Sequence, residues 1–218
     1  MTIDGPAGAG KSTVARRLAE RLGFLYLDTG AMYRALAYKA LEHSVDPGSE
    51  GDVLALLMNS VIELVPDGVL LDGEFLGPRI RSPEVDRAVS RVAQLPKVRL
   101  ELVARQRAIS EARDVVMDGR DTGTFVLPGA DVKFFLTASL EERVARRRAE
   151  MQGRGFAVDP RALEAEMLER DRLDQERTVG PLAAAPDAMV VDTTGMEIED
   201  VVEWLYAATR RRLASIRS

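Results

Sequence analysis

Cysteine is absent from the 218 residues, and His43 is the only histidine. Without cysteine, the chain can form neither a disulfide framework nor a thiolate metal site. No apolar run approaches the ~20 residues that a membrane-spanning helix needs. The opening residues, MTIDGPAGAG, do not have the pattern of a secretory signal. From these absences we expect a cytoplasmic protein with no membrane partner.

Lysine is scarce as well. Only four of the 30 basic residues are lysines, which leaves 26 arginines. The net charge of −5 argues against broad affinity for nucleic acid. We attribute most of the arginine excess to codon bias, so the position of each arginine is more informative than their number. Arginine is relevant because its planar fork of donors suits phosphate. We expect a monomer whose partners are small molecules, with no nucleic-acid partner.

Short apolar segments alternate with amphipathic helical segments along most of the chain. Buried strands are predicted at residues 1–3, 24–27, 115–117, 132–136 and 189–191. This alternation predicts an α/β fold, in which helices flank a central parallel sheet of five strands.

Residues 60–78 interrupt this alternation. Three short apolar runs are separated there by the turn sequences Pro66-Asp67-Gly68 and Asp72-Gly73, which is typical of an antiparallel meander. We therefore predict one domain, residues 1–218, that carries a small antiparallel insert at roughly 48–95.

Local signals predict where several helices begin. Ser82, followed by Pro83, and Ser139, in the sequence SLEE, are typical N-caps. The same reasoning assigns Thr194 as the cap of a C-terminal amphipathic helix. We expect Trp204, on that helix, to lie in the core.

The sequence GPAGAGKS, residues 5–12, fits the phosphate-loop pattern G-x-x-x-x-G-K-[ST] at every fixed position. It stands between an apolar strand and an amphipathic helix, which is the context that the motif requires. Glycines let successive backbone N–H groups converge on phosphate oxygens, and the helix N-terminus adds partial positive charge. Lys11 should reach the β- and γ-phosphates, and the Ser12 hydroxyl should hold Mg²⁺. The residues predicted to bind ATP are Gly5, Pro6, Ala7, Gly8, Ala9, Gly10, Lys11, Ser12 and Thr13.

Kinases, GTPase switches and motors all use such a loop. A GTPase needs a guanine-reading N-K-x-D segment, whereas the only asparagine, Asn59, lies between Met58 and Ser60. A kinase acting on an alcohol would be expected to use a general base, and no histidine–carboxylate pair can be built here. A phosphate acceptor needs no base, because its second pKa of ~6 leaves it mostly dianionic at neutral pH. A kinase for a phosphorylated acceptor is favoured, with another small-acceptor kinase or a non-catalytic NTP-binding module as alternatives.

Four polar clusters follow the loop: DTGAMYR at residues 28–34, Ser90 with Arg99, DGRDTGT at 118–124, and ERDRLDQER at 169–177. Together, IDGPAGAGKST, LDTGAMYR, IRSPEV, DGRDTGT and ERDRLDQER resemble the bacterial cytidylate kinases, in order and spacing, along nearly the whole chain. The resemblance implies transfer of the γ-phosphoryl group of ATP to CMP or dCMP, with Mg²⁺. One departure is conservative, since Thr29 stands where some relatives carry serine.

The resemblance also implies roles for individual residues. Arg34, Arg120 and Arg177 would grip the acceptor phosphate and the moving phosphoryl group, with Tyr33 and Thr29 beside the monophosphate. Ser90, Arg99 and Asp121 would read the cytosine, and Arg170 and Asp174 would hold the sugar hydroxyls. Arg146, Arg147 and Arg154 would belong to a short mobile lid, at roughly 147–160, that closes over ATP. The insert at roughly 48–95 would bind the acceptor monophosphate. The implied catalytic residues are Lys11, Arg120, Arg177 and Arg146, and the implied metal residues are Ser12 and, through water, Asp118.

The chemistry of Asp121 supports the choice of base. A carboxylate accepts a hydrogen bond from the exocyclic amine of cytosine, whereas the O4 atom of uracil would meet it acceptor to acceptor. An unpaired buried charge costs several kcal/mol, so CMP should be preferred to UMP. Within the last cluster, we interpret Glu169 and Arg172 as a solvated ion pair.

Overall fold

The computed structural model describes residues 1–65 and 68–217. The predicted turn residues Pro66 and Asp67 lie outside the described residues. Eight strands and eight α-helices are assigned in the described ranges. In chain order they are β1 (Thr2–Asp4), α1 (Lys11–Leu22), β2 (Leu25–Asp28), α2 (Thr29–Glu42), α3 (Glu50–Met58), β3 (Ile62–Val65), β4 (Gly68–Leu71), β5 (Glu74–Phe75), α4 (Pro83–Val92), α5 (Pro96–Glu111), β6 (Val115–Asp118), β7 (Lys133–Thr137), α6 (Leu140–Gly153), α7 (Pro160–Glu176), β8 (Met189–Asp192) and α8 (Ile198–Arg217).

The chain divides into two compact units. The first consists of residues 1–26, 114–176 and the chain from residue 180 onward, and the second of residues 27–113 and 177–179. Each described helix is too short or too polar to span a bilayer.

The first unit is built on a five-stranded sheet with strand order β2–β6–β1–β7–β8. The predicted central parallel sheet is confirmed. β1 lies between β6 and β7, with Ile3 opposite Asp118 on one side and Phe134 on the other. All three residues of this central strand are buried, which is typical of a parallel sheet covered on both faces. The core of this unit includes Ile3, Leu18, Phe134, Leu136 and Leu205.

Helix α1 follows β1 after the glycine-rich loop. Val14 and Leu18 are buried on one face of the helix, so the helix after the loop is amphipathic, as expected. The helix ends at Gly23, whose left-handed conformation (φ 70°) lets its N–H group donate back to the carbonyl of Glu20.

The second unit contains α2 to α5 and a three-stranded antiparallel sheet, β3–β4–β5. This sheet confirms the predicted meander. Asp72 and Gly73 form the second turn, and both have positive φ values, of 53° and 84°. The core of the unit is apolar and includes Met32, Leu36 and Leu102.

Two of the three predicted caps are confirmed, and the third is wrong. The Ser82 hydroxyl accepts from the N–H of Val85, and the Ser139 hydroxyl from the N–H of Glu142. Helix α8, in contrast, begins only at Ile198. The hydroxyl of Thr194 instead donates to Asp192 at 2.6 Å and accepts from the N–H of Ser139 at 2.9 Å. Thr194 therefore ties Asp192, the last residue of β8, to the start of α6.

The predicted core position of Trp204 is also wrong. Its side chain is 42% exposed and touches the core by an edge contact with Phe134, at 6.2 Å between ring centres. Val201, Val202 and Leu205 form the buried stripe of α8, which places Trp204 at the margin of that stripe.

Candidate active site

The phosphate loop joins the carboxyl end of β1 to the start of α1. Gly5, Gly8 and Gly10 have φ values of 147°, 77° and 83°, which L side chains rarely adopt. A Cβ at Gly5 would overlap the carbonyl oxygen of Leu136, and one at Gly8 would lie 2.8 Å from the carbonyl oxygen of Arg143. The glycines are needed both for backbone conformation and for space.

Lys11 is the first residue of α1 and is buried. Its Nζ donates to the carbonyl oxygen of Pro6 at 2.7 Å. Burial lowers the pKa of Lys11 well below its ordinary value, and the positive charge of Arg120 lowers it further, while Asp118 acts in the opposite direction. An ammonium group that has lost its water in this way gains strongly from a nearby anion, and a bound phosphate would supply one.

Ser12 and Asp118 lie together at the ends of neighbouring elements. The Ser12 hydroxyl donates to a carboxylate oxygen of Asp118 at 2.7 Å. The described residues include no group of three or more His, Cys, Asp or Glu side chains that could cage a metal. Mg²⁺ at phosphoryl-transfer sites uses one or two protein oxygens and completes its shell with water and substrate phosphate. The Ser12–Asp118 pair fits that requirement.

Two side chains that the sequence analysis missed also contact the loop. Nη1 of Arg143 donates to the carbonyl oxygen of Ala7 at 3.1 Å, and the N–H of Ala7 donates to Asp171 at 3.4 Å. Arg143 and Asp171 form an ion pair at 2.5 Å.

The DGRDTGT segment is fixed by a third missed residue, Asp4. One carboxylate oxygen of Asp4 accepts from the N–H and the hydroxyl of Thr122, at 2.8 and 2.7 Å, and the other accepts from the N–H of Gly123 at 2.7 Å. Thr122–Val126 forms a single π-helical turn, in which the carbonyl of Asp121 accepts from the N–H groups of Phe125 and Val126. Asp121 is buried at the start of this turn.

Helix α7 carries the polar residues of the last cluster. Asp174 is buried and accepts from Nε of Arg120 at 2.8 Å. Although burial lowers the pKa of Arg120, the charge of Asp174 and the hydrogen bond to it raise that pKa above its ordinary value. Arg170 is close enough to lower the pKa of Lys11. Glu169 and Arg172 form an exposed ion pair, which confirms their interpretation as solvated residues.

Arg146 on α6 lies beside the start of α1. Its guanidinium donates to Glu142 and, at 3.0 and 2.7 Å, to the hydroxyl and carbonyl of Thr193. A Cβ at Gly10 would lie 3.8 Å from the same guanidinium. Arg147 and Arg154 both pair with Glu150.

In the second unit, the DTGAMYR segment begins α2. Asp28 is the N-cap of the helix, with one carboxylate oxygen accepting from the N–H of Ala31 at 2.9 Å. The other oxygen accepts from Arg81 at 2.7 Å, a contact that the sequence did not predict. Arg34 is buried and pairs with Asp86. Burial lowers the pKa of Arg34, and the charge of Asp86 partly offsets that effect.

Arg99 and Tyr33 are neighbours in the same unit, with the guanidinium carbon of Arg99 at 5.5 Å from the ring centre of Tyr33. Arg99 is only 1% exposed. The Ser90 hydroxyl donates to the carbonyl oxygen of Asp86 at 3.4 Å. Residues 177–179 belong to the second unit although they follow α7 in the chain. Arg177 is therefore a residue of the second unit, and its side chain is buried.

The predicted site residues therefore fall into two groups, one in each unit. The first unit contains the phosphate loop (residues 5–13), Asp118, Arg120, Asp121, Arg146, Arg170 and Asp174, and the second contains Thr29, Tyr33, Arg34, Ser90, Arg99 and Arg177.

A parallel sheet with a phosphate loop after its central strand and a buried lysine at the helix start defines the P-loop fold of NTP-binding proteins. A gluconokinase from Sinorhizobium meliloti 1021 superposes with a TM-score of 0.54 over 99% of this chain and 94% of the gluconokinase. The two sequences are 13% identical, so this likeness shows the fold alone.

Sequence comparison defines the family. The family model for cytidylate kinase matches residues 1–211. The cytidylate kinase of Geobacillus kaustophilus (strain HTA426) is 52% identical over 217 residues, which cover 98% of this chain and 97% of the relative. That of Alkaliphilus oremlandii (strain OhILAs) is 50% identical over 203 residues, 93% of this chain and 94% of the relative. The chain belongs to the cytidylate kinase family, and the resemblance inferred from its motifs is confirmed.

Proposed function

We propose that this protein transfers the γ-phosphoryl group of ATP to CMP or dCMP, giving ADP and CDP or dCDP. The observation that carries this function is membership of the cytidylate kinase family over residues 1–211. The reaction would serve pyrimidine nucleotide metabolism in the cytoplasm, carried out by a monomer. The buried polar residues of both units support the roles that follow.

The first unit would bind ATP. Residues 5–13 would surround its phosphates, with backbone N–H groups from Gly8 onward as donors, because Pro6 has no N–H and that of Ala7 donates to Asp171. Lys11 would exchange the carbonyl of Pro6 for phosphate oxygens. Ser12 would hold Mg²⁺ directly, and Asp118 would hold it through water. When bound, the ion would neutralise charge on the phosphate oxygens. Arg146, beside the start of α1, would act on the same phosphates as the lid closes and excludes water.

The acceptor residues would position CMP rather than activate it, since its phosphate needs no base. Arg34, Arg120 and Arg177 would grip the acceptor phosphate and the moving group. Arg34 already pairs with the carboxylate of Asp86, and Arg120 with that of Asp174, so each guanidinium is oriented to bind an anion. The remaining substrate contacts would come from Thr29 and Tyr33 beside the monophosphate, Ser90, Arg99 and Asp121 at the base, and Arg170 and Asp174 at the sugar.

A coupled ADP-release assay tests the function directly. The acceptors would be CMP, dCMP, UMP, AMP, dTMP and shikimate, each with ATP and Mg²⁺. We expect the highest kcat/KM with CMP or dCMP. A preference for UMP or shikimate would favour another small-acceptor kinase, and turnover that is independent of any acceptor would overturn the proposal.

Selectivity for the base tests the role of Asp121. Asp121→Asn keeps the shape of the side chain but lets it donate a hydrogen bond to the O4 atom of uracil. Leaving one buried polar group unpaired costs ~1–3 kcal/mol, so the CMP to UMP ratio of kcat/KM should fall about tenfold or more. Asp200→Asn, at an exposed position on α8, is the matched control. An unchanged ratio in Asp121→Asn would remove Asp121 from the base-reading role.

A further inference from the structure

We infer that Arg143 and Asp171 are a positioning pair, which holds the phosphate loop in its ATP-binding shape through Ala7 and connects the loop to helices α6 and α7. The inference rests on the proposed role of the loop as the ATP site. Neither residue belongs to the phosphate-loop motif.

The pair engages both polar groups of one loop residue. Asp171 accepts from the N–H of Ala7 at 3.4 Å, and Arg143 donates to the carbonyl oxygen of Ala7 at 3.1 Å. The same Nη1 of Arg143 bonds Asp171 at 2.5 Å, and its Nε donates to the carbonyl oxygen of Ala138 at 3.2 Å. Because Arg143 and Asp171 are paired with each other, their hydrogen bonds to the carbonyl and the N–H of Ala7 fix the orientation of the main chain there. They also direct its N–H group to a carboxylate.

A second contact with the loop is made one residue later. A Cβ at Gly8 would lie 2.8 Å from the carbonyl oxygen and 3.0 Å from the Cβ of Arg143, and 3.0 Å from the terminal methyl of Met167. Arg143 lies on α6, whereas Met167 and Asp171 lie on α7. Both helices therefore touch the loop at two successive residues. The segment predicted to form the lid, residues 147–160, contains the last part of α6, which ends at Gly153, and the connection to α7, which begins at Pro160. A movement of either helix during lid closure would reach the loop through these contacts.

The desolvation cost of burying the Arg143–Asp171 ion pair supports a positioning role. The two side chains are only 10% and 11% exposed, so both charges have lost most of their water. Replacing a buried ion pair by apolar residues of similar volume is often neutral or stabilising. Stability alone therefore does not require charges here. What the charges supply, and apolar side chains cannot, is hydrogen bonding to the N–H and carbonyl of Ala7.

The variants that test the pair are Arg143→Met, Asp171→Leu and the double variant. Each would be assayed for kcat, for KM of ATP and CMP separately, for urea stability, and for the Kd of ATP without acceptor. We expect all three to raise both KM and Kd for ATP at least tenfold, with KM for CMP changed less than twofold. The double variant should recover much of the stability that the single variants lose, yet bind ATP as weakly as they do. Arg143→Lys keeps the positive charge and is used if Arg143→Met does not fold. It should bind ATP more tightly than Arg143→Met but more weakly than the wild type.

Arg105 provides a matched control in the second unit. It pairs with Glu101 at 2.8 Å and donates to the carbonyl oxygens of Ser60 and Leu57, so Arg105→Met also removes a half-buried pair with main-chain contacts. This variant should lose stability but keep its Kd for ATP. Wild-type affinity for ATP in the Arg143/Asp171 double variant would overturn the inference, as would an equal rise in KM for CMP. The Kd measurement needs no acceptor, so it separates failure of the pair from failure of the proposed reaction.

Discussion

Replacing Asp4 by asparagine should destabilise the protein, because Asp4 is surrounded by donors. Its two oxygens accept three hydrogen bonds, from the N–H and hydroxyl of Thr122 and from the N–H of Gly123. Asparagine has a single oxygen, so in Asp4→Asn the side-chain NH₂ group must face one of these donors. One charge-assisted hydrogen bond is lost, and two buried donors are brought together.

The magnitude follows from these contacts. A hydrogen bond to a charged group contributes ~1.5–3 kcal/mol, and an unsatisfied buried donor costs ~1–3 kcal/mol. The loss is partly offset, since the variant no longer buries a charge. A net fall of about 2–3 kcal/mol in the free energy of unfolding at pH 7 is expected.

The effect should also depend on pH. Burial raises the pKa of Asp4 above its ordinary value, against the hydrogen bonds from Gly123 and Thr122. Protons are then bound more tightly in the folded state, so this group's contribution to stability is complete below the unfolded pKa of ~3.9 and declines as pH rises through the folded pKa. Asparagine lacks this titration. The stability difference between the wild type and Asp4→Asn should therefore widen as pH falls through the folded pKa of Asp4 toward the unfolded value.

Urea unfolding at pH 4, 5, 6, 7 and 8 measures both effects, with Asp200→Asn as the exposed control. The control should stay within ~0.5 kcal/mol of the wild type at every pH. A loss below ~1 kcal/mol in Asp4→Asn would refute the hydrogen-bond argument. A difference that narrows on acidification would refute the direction assigned to the pKa.

Three further changes test other parts of the structure. Lys11→Met should lower kcat by roughly 100-fold or more in steady-state assays. It should not lower urea stability, because it removes a desolvated cation. A kcat within tenfold of the wild type would contradict the catalytic role of Lys11. Gly8→Ala should weaken ATP binding in calorimetry and lower the melting temperature, since φ is 77° and a Cβ would lie 2.8 Å from the carbonyl of Arg143. Gly73→Ala is its control, with φ of 84° but no atom within 4 Å of the added Cβ, and equal effects of the two variants would show that space at Gly8 is unimportant. Arg172→Ala removes exposed ion pairs on α7, so kcat/KM and melting temperature should both remain at their wild-type values, and a clear fall in either would argue against a solvated role.

Much of the fold could be predicted from the sequence because its signals are local. The phosphate loop, the five apolar strands and the meander each depend on residues that are close in the chain. The same is true of the caps Ser82 and Ser139, whose partners are three residues away. At Thr194 the local pattern failed. The hydroxyl of Thr194 donates to Asp192, at the end of β8, and accepts from the N–H of Ser139, at the start of α6, so it does not cap α8.

The motifs also determined the family and which residues are candidates for binding and catalysis. What the sequence did not predict is the residues that hold those candidates in place. Asp4 is 118 residues from Thr122, Asp171 is 164 from Ala7, and Asp86 is 52 from Arg34. No periodicity or spacing relates residues so far apart. Each pairing exists only because β1 aligns with β6, α6 and α7 reach the phosphate loop, and α4 packs on α2. The strands, loop and family were therefore determined by local chemistry, whereas only tertiary packing decided how buried charges are matched.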